Sequence, residues 1–284
     1  MRFDLQINPG NSIWPIARDA AQAAEAAGFK TLWTVDHLAG DVMHAPDMPE
    51  CFTLLGALAG VTSKIELGPL VVNVGNRHPA ILANSVATMQ QISGGRFVLG
   101  LGAGSSPNSP FAAERRAIGM LPPAKLADRH AAVINALDVM NEMWSPTRRA
   151  ELAAFPIATP KPDVIIGANS VALAKIAGER TNGVNIRATH ERASEILAAA
   201  KLAHENSGLK KPFTVSVWEH YDEALLRGDD PRLDVWRSWG VDRVILLMFK
   251  SVDFAALNRA AKLDRKSTRL KSSHSGESRM PSSA

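Results

Sequence analysis

Short apolar runs alternate with longer stretches whose apolar residues recur at helical spacing, and the alternation repeats along most of the chain. The spacing predicts a strand over Phe3–Asn8, a helix over Trp14–Ala27 stopped by Gly28, a strand over Thr31–Val35 and a helix over Phe52–Thr62. A strand over Ile65–Asn73, a helix over Pro79–Ile92 broken by Ser93-Gly94-Gly95, a strand over Arg96–Leu101 and a helix over Lys125–Trp144 follow. The second half repeats the pattern, with strands at Asp163–Ile166, Gly183–Ile186, Phe213–Trp218 and Arg243–Met248. Its helices are Ser170–Arg180, Glu191–Asn206, a segment reaching Trp239, and a short last one at Phe254–Leu263. Runs such as Val244-Ile245-Leu246-Leu247 have no polar face, which suits parallel strands covered on both sides. Alternating strands and helices imply right-handed βαβ units. Eight of them over residues 1–263 predict a single-domain α/β fold, a (β/α)8 TIM barrel, with an open doubly wound sheet as the alternative.

Two loops are long, Asp36–Glu50 and Gly102–Ala124, and both follow strands. A barrel enzyme builds its active site at that end of its strands. Composition then narrows the classes. No run of about 18 or more apolar residues is present, so no membrane span is expected. The N-terminus lacks the basic-then-apolar order of a secretory signal. The single cysteine, Cys51, excludes internal disulfides and thiolate metal clusters and fits a reducing cytoplasm. The net charge is +4, but Arg265, Lys266, Arg269, Lys271 and Arg279 against Glu277 account for all of it. Residues 1–264 are formally neutral, so the basic balance gives no support for nucleic-acid binding. Residues 264–284 turn Ser-rich and basic without apolar periodicity, which predicts a disordered tail outside the barrel. Its composition resembles translated adaptor sequence.

Four places could carry chemistry. Asp36-His37 follows its strand directly and would put a carboxylate and an imidazole at the barrel mouth, or simply cap the loop. Gly68 and Pro69 inside the third strand, before Leu70-Val71-Val72-Asn73, suggest a bulge, or an irregular strand start. Gly102-Ala103-Gly104, ending the fourth strand, would let a ligand approach the backbone, but lacks the spacing of a dinucleotide fingerprint or a Walker loop. Gly167-Ala168-Asn169, before a helix, offers free N–H groups to a phosphate, or an N-cap by Asn169 or Ser170. His78-Pro79 reads as a helix start. No HExxH, Cys/His cluster or Gly-x-Ser-x-Gly is present, and no metal site is expected.

Thr31–Leu38, Arg77–Gly104 and the region from Pro160 to Val184 together resemble the bacterial-luciferase-like family of flavin- and deazaflavin-dependent oxidoreductases. The resemblance implies a barrel holding its cofactor at the C-terminal strand ends. It implies coenzyme F420 first, from Asp36-His37, with FMN and oxygen chemistry second and a flavin-binding barrel without turnover third. Under it, Asp36 and His37 are the candidate catalytic pair, and Asp36 also lies against the cofactor. A non-prolyl cis peptide near Leu70-Val71 would back the ring. Asn73, Gly102, Ala103 and Gly104 would border it, and Gly167, Ala168 and Asn169 would hold the phosphate. Ser105 stands where some sugar-phosphate dehydrogenases of the family carry a Glu, which argues against their substrate. The resemblance further implies a small organic substrate and a homodimer joined near the second and third strand–helix units.

Overall fold

The computed structural model describes residues 1–263, so the tail expected over 264–284 lies outside the described residues. Nine parallel strands run in the order β3-β2-β1-β9-β8-β7-β6-β5-β4. They are β1 (Arg2–Ile7), β2 (Thr31–Thr34), β3 (Glu66–Pro69), β4 (Val72–Asn73), β5 (Leu99–Gly102), β6 (Val164–Gly167), β7 (Gly183–Arg187), β8 (Thr214–His220) and β9 (Arg243–Met248). β3 and β4 are the halves of the single strand expected over Ile65–Asn73, parted at Leu70-Val71. β3 reaches the segment before β5 through a Leu67–Phe97 bridge, where Val98 N donates to Leu67 O at 3.0 Å. The sheet thus closes as an eight-fold (β/α) barrel.

The helices that cover it are α1 (Trp14–Ala26), α2 (Cys51–Val61), α3 (Pro79–Ile92), α4 (Ala113–Ala117), α5 (Leu126–Met143), α6 (Val171–Arg180), α7 (Ala193–Ser207), α8 (Glu223–Arg227) and α9 (Pro231–Ser238). A further helix occupies 254–263. In α1, Ala17, Ala20, Ala21 and Ala24 form the buried stripe, and Gly28 at φ +81° turns the chain toward β2. His78 accepts from Ala80 N at 3.2 Å and starts α3, as its place before Pro79 suggested. The segment expected to be one helix up to Trp239 is two, because Gly228 at φ +85° ends α8. The Gly102–Ala124 loop holds α4, which its sequence did not suggest.

Strand residues alternate between two cores. Leu5, Ile7, Leu32 and Leu246 face the helices, whereas Trp33, Leu70, Val98, Ile165 and Ile245 fill the barrel interior. Toward the N-terminal face of the barrel, Trp33 Nε1 donates to Asp4 Oδ2 at 2.8 Å, and Arg243 lies 3.5 Å from the same oxygen. Burial raises the Asp4 carboxyl to about 6 against the pull of Arg243. These packed residues plug the barrel below and leave its other end open.

Candidate active site at the barrel mouth

A cavity of about 910 Å³ opens at the C-terminal ends of the strands. Its lining includes every candidate residue of the sequence: Asp36, His37, Leu70, Val71, Asn73, Gly102, Ala103, Gly104, Gly167, Ala168 and Asn169. Among the described residues no cluster of three or more His, Cys, Asp or Glu could hold a metal.

The floor is the break between β3 and β4. The Leu70–Val71 peptide is cis, where the family resemblance implied one. Leu70 N donates to Thr34 O at 2.7 Å, and Gln6 Nε2 donates to Leu70 O at 3.0 Å, so β1 and β2 fix both sides of the bulge. The glycines have a further reason beside the one expected. A Cβ on Gly102 would collide with Val71 Cγ2, one on Gly167 would lie 2.9 Å from Val71 Cγ1, and one on Gly104 would lie 2.6 Å from Asn73 Oδ1. They admit the bulge's own side chains. Whatever enters the cavity meets Val71 there as well as bare backbone.

Asp36 and His37 part company. The Asp36 side chain is 1% exposed, and its Oδ1 lies 2.7 Å from Arg77 Nη2. Its Oδ2 accepts from Arg77 Nη1 at 2.8 Å, from Asn73 N at 3.1 Å and from Asn76 Nδ2 at 3.3 Å. Burial raises this carboxyl, and Arg77 and the Asn73 amide oppose the rise. Asp36 therefore ties the end of β2 to the bulge and the start of α3. His37 is partly open and faces Phe111, with ring centroids 5.9 Å apart. Its Nδ1 lies 3.0 Å from Glu114 Oε1.

Glu114 is the group that sequence reasoning missed. It comes from α4, 77 positions along the chain, and its other oxygen accepts from Leu38 N at 2.7 Å and Ala39 N at 3.1 Å. Burial pushes its pKa up, but His37 and the two amides outweigh that and leave it below the usual carboxylate value. A lone Glu in a short loop helix carries no sequence signal for this. Gln6 was equally hidden, as one of three polar positions in β1.

The far wall comes from β6, β7 and β8. Ser170 starts α6 by accepting from Leu173 N at 3.4 Å, while Gly167, Ala168 and Asn169 border the cavity in front of it. The N-cap and the cavity-lining readings of this turn therefore coexist. Asn185 donates to Ser216 Oγ at 3.0 Å inside the barrel, and Arg187 lies over the Trp218 ring.

The sequence matches the family described as luciferase-like monooxygenase over residues 4–218. The chain belongs to that family. Among curated relatives, the 5,10-methylenetetrahydromethanopterin reductase of Methanolobus tindarius is 27% identical over 219 residues, 76% of this chain and 63% of the relative. The F420-dependent hydroxymycolic acid dehydrogenase of Mycobacterium tuberculosis is 26% identical over 231 residues, 76% of this chain and 61% of the relative. The chain thus spans about three-fifths of the length of these relatives. The solved structure of the coenzyme F420-dependent tetrahydromethanopterin reductase from Methanopyrus kandleri superposes with a TM-score of 0.70 at 17% identity, covering 92% of this chain and 96% of that one. At that identity the likeness shows the shared barrel.

Proposed function

We propose that this chain is a coenzyme F420-dependent oxidoreductase that moves a hydride between the deazaflavin ring and a small organic substrate. The observation that carries this reading is the His37–Glu114 pair beside the Leu70–Val71 bulge at one barrel mouth. F420 is favoured over FMN because several relatives are named for it. The cavity is of the size that cofactor sites have, and it combines an apolar floor at Leu70 and Val71 with polar and charged side chains around it. In this reading Leu70 and Val71 back the ring, with Asn73, Gly102, Ala103 and Gly104 at its edge. Gly167, Ala168 and Asn169 take the phosphate at the start of α6.

Held by these residues, a deazaflavin would supply the hydride chemistry. The chain's own residues handle the proton. With Nδ1–H donated to Glu114, His37 keeps a lone pair on Nε2. That nitrogen takes the hydroxyl proton of an alcohol as it becomes a carbonyl, and returns it in the reverse direction. Asp36, held by Arg77, positions the bulge and the loop that carries His37 and makes no proton transfer. FMN-dependent oxygenation is the second reading, favoured by the family's description as monooxygenases.

Titration of the purified protein with F420 and with FMN tests both, with F420 expected to bind at least tenfold tighter. Tighter FMN binding reverses the assignment. Binding of neither removes both enzymes. Binding without turnover leaves a non-catalytic flavin-binding barrel. Under the primary reading, His37→Ala abolishes most turnover with the fold intact, and an unchanged rate removes His37 from the mechanism.

The proposal extends to a cytoplasmic homodimer joined through α2 and α3. Ile81 and Ile92 of α3 are exposed and border a shallow groove with Phe52 and Met89, and no described helix could cross a membrane. Light scattering that returns a monomer at micromolar concentration overturns the dimer.

A further inference from the structure

Asp36, Glu114 and Arg129 at the mouth are engaged by groups within the protein, although Arg129 Nε and His130 Nε2 have no hydrogen-bond partner. Asp36 faces Arg77, Glu114 faces His37 and two amides, and Arg129 donates to the carbonyls of Pro123 and Ala124 at 2.9 and 3.0 Å. Arg187, at the end of β7, has no carboxylate within 4.0 Å among the described residues. Its guanidinium carbon lies 5.2 Å from the centroid of the Trp218 ring. The strands hold this pair together: Arg187 and Trp218 are register partners, and Ala188 N donates to Trp218 O at 2.9 Å.

This placement differs from that of the α6 start. Gly167 pairs with Asn185, so Arg187 sits two residues farther out along the neighbouring strand. Trp218, like Val71, packs against the interior cluster that contains Leu70. β7 lies between β6 and β8, and stacking on Trp218 of β8 turns the guanidinium away from the β6 end that carries the residues proposed for the cofactor phosphate. A guanidinium resting on an indole face keeps its N–H edges free and loses little further freedom when it engages an anion. His190 lines the same wall.

We propose that Arg187 recognises an anionic group, carboxylate or phosphate, on the substrate itself, so that the substrate is a small organic acid or phosphate ester. This inference rests on the reading of the mouth as an F420-dependent active site. The matching test uses Arg187→Ala and Arg187→Lys in the full chain. Inorganic phosphate and glycerol 3-phosphate are titrated against Trp fluorescence, with glycerol as the uncharged control. F420 and its dephosphorylated riboside are titrated separately. The expected result is at least tenfold weaker binding of both phosphates in Arg187→Ala, partial recovery in Arg187→Lys, and F420 binding within twofold of the wild type. Loss of F420 binding with riboside binding kept would assign Arg187 to the cofactor phosphate and overturn the inference. So would phosphate binding that is absent from the wild type or unaltered by either substitution. Failure of the wild type to bind F420 sinks the cofactor reading and, with it, the substrate assignment, whatever the phosphate titrations show.

Discussion

Replacing Glu114 separates a loop-organising carboxylate from a bystander. Its side chain is 4% exposed and receives three hydrogen bonds, from His37 Nδ1, Leu38 N and Ala39 N. Bonds to a charged acceptor contribute about 1.5–3 kcal/mol each net of solvation. Leu38 and Ala39 are only partly buried, so water replaces part of what Glu114→Ala removes. A total of about 2–4 kcal/mol remains, which is roughly 4–12 °C in Tm for a barrel of this size. Glu114→Gln keeps one acceptor and should cost about half as much. Thermal unfolding gives the global value, and amide hydrogen exchange at residues 38 and 39 locates it. The pH dependence supplies an independent check. The folded carboxyl lies below its unfolded value of 4.5, so its stabilisation is present above that pH and is lost as pH falls through the lowered folded pKa. Wild type should lose stability in that acid window, and Glu114→Gln should lose less. A Tm within 1 °C of wild type for Glu114→Ala, with unchanged exchange at both amides, would refute the assignment.

Asp36→Ala removes the buried partner of Arg77 and should cost about 3 kcal/mol, the low end for a broken buried pair because Glu50 still reaches the guanidinium. A double-mutant cycle with Arg77→Ala that shows no coupling would end this structural role for Asp36. Gly102→Ala should destabilise by about 1–3 kcal/mol through its clash with Val71, and Val71→Ala should recover much of the loss. Strict additivity of the two would mean that the steric explanation is wrong. Glu25 is opposed by burial, yet the amides of Ile65, Lys64 and Ser63 hold it at about 2. Its stabilisation is therefore present above 4.5 and lost as pH falls toward 2. Acid titration of Glu25→Gln should show a flatter stability profile in that window, and an identical acid limb counts against the cap.

The strands were legible because a barrel buries them on both faces. All six residues of Arg243–Met248 are buried, and such runs stand out against amphipathic helices. The bulge was legible from Gly68 and Pro69, which a regular strand would not choose. The place of His37 at the mouth was legible because it follows closely on the C-terminal end of β2. Glu114, Gln6 and Arg187 were not. Each owes its position to a contact with a residue distant in sequence, with His37, Leu70 and Trp218 respectively, and no local spacing encodes which residues will meet.

Asp36 and the glycines show a subtler limit. Their positions could be read, but not all of their reasons. A carboxylate next to a mouth histidine suggests chemistry until Arg77, 41 positions later, occupies it. Gly102 and Gly167 suggest space for a ligand, and a Cβ on either would also meet Val71. In both cases the residue serves the bulge, and the bulge is what the site is built upon. Among the polar groups at the mouth that have no protein partner are Nε2 of His37, the guanidinium of Arg187 and the side chain of Asn169.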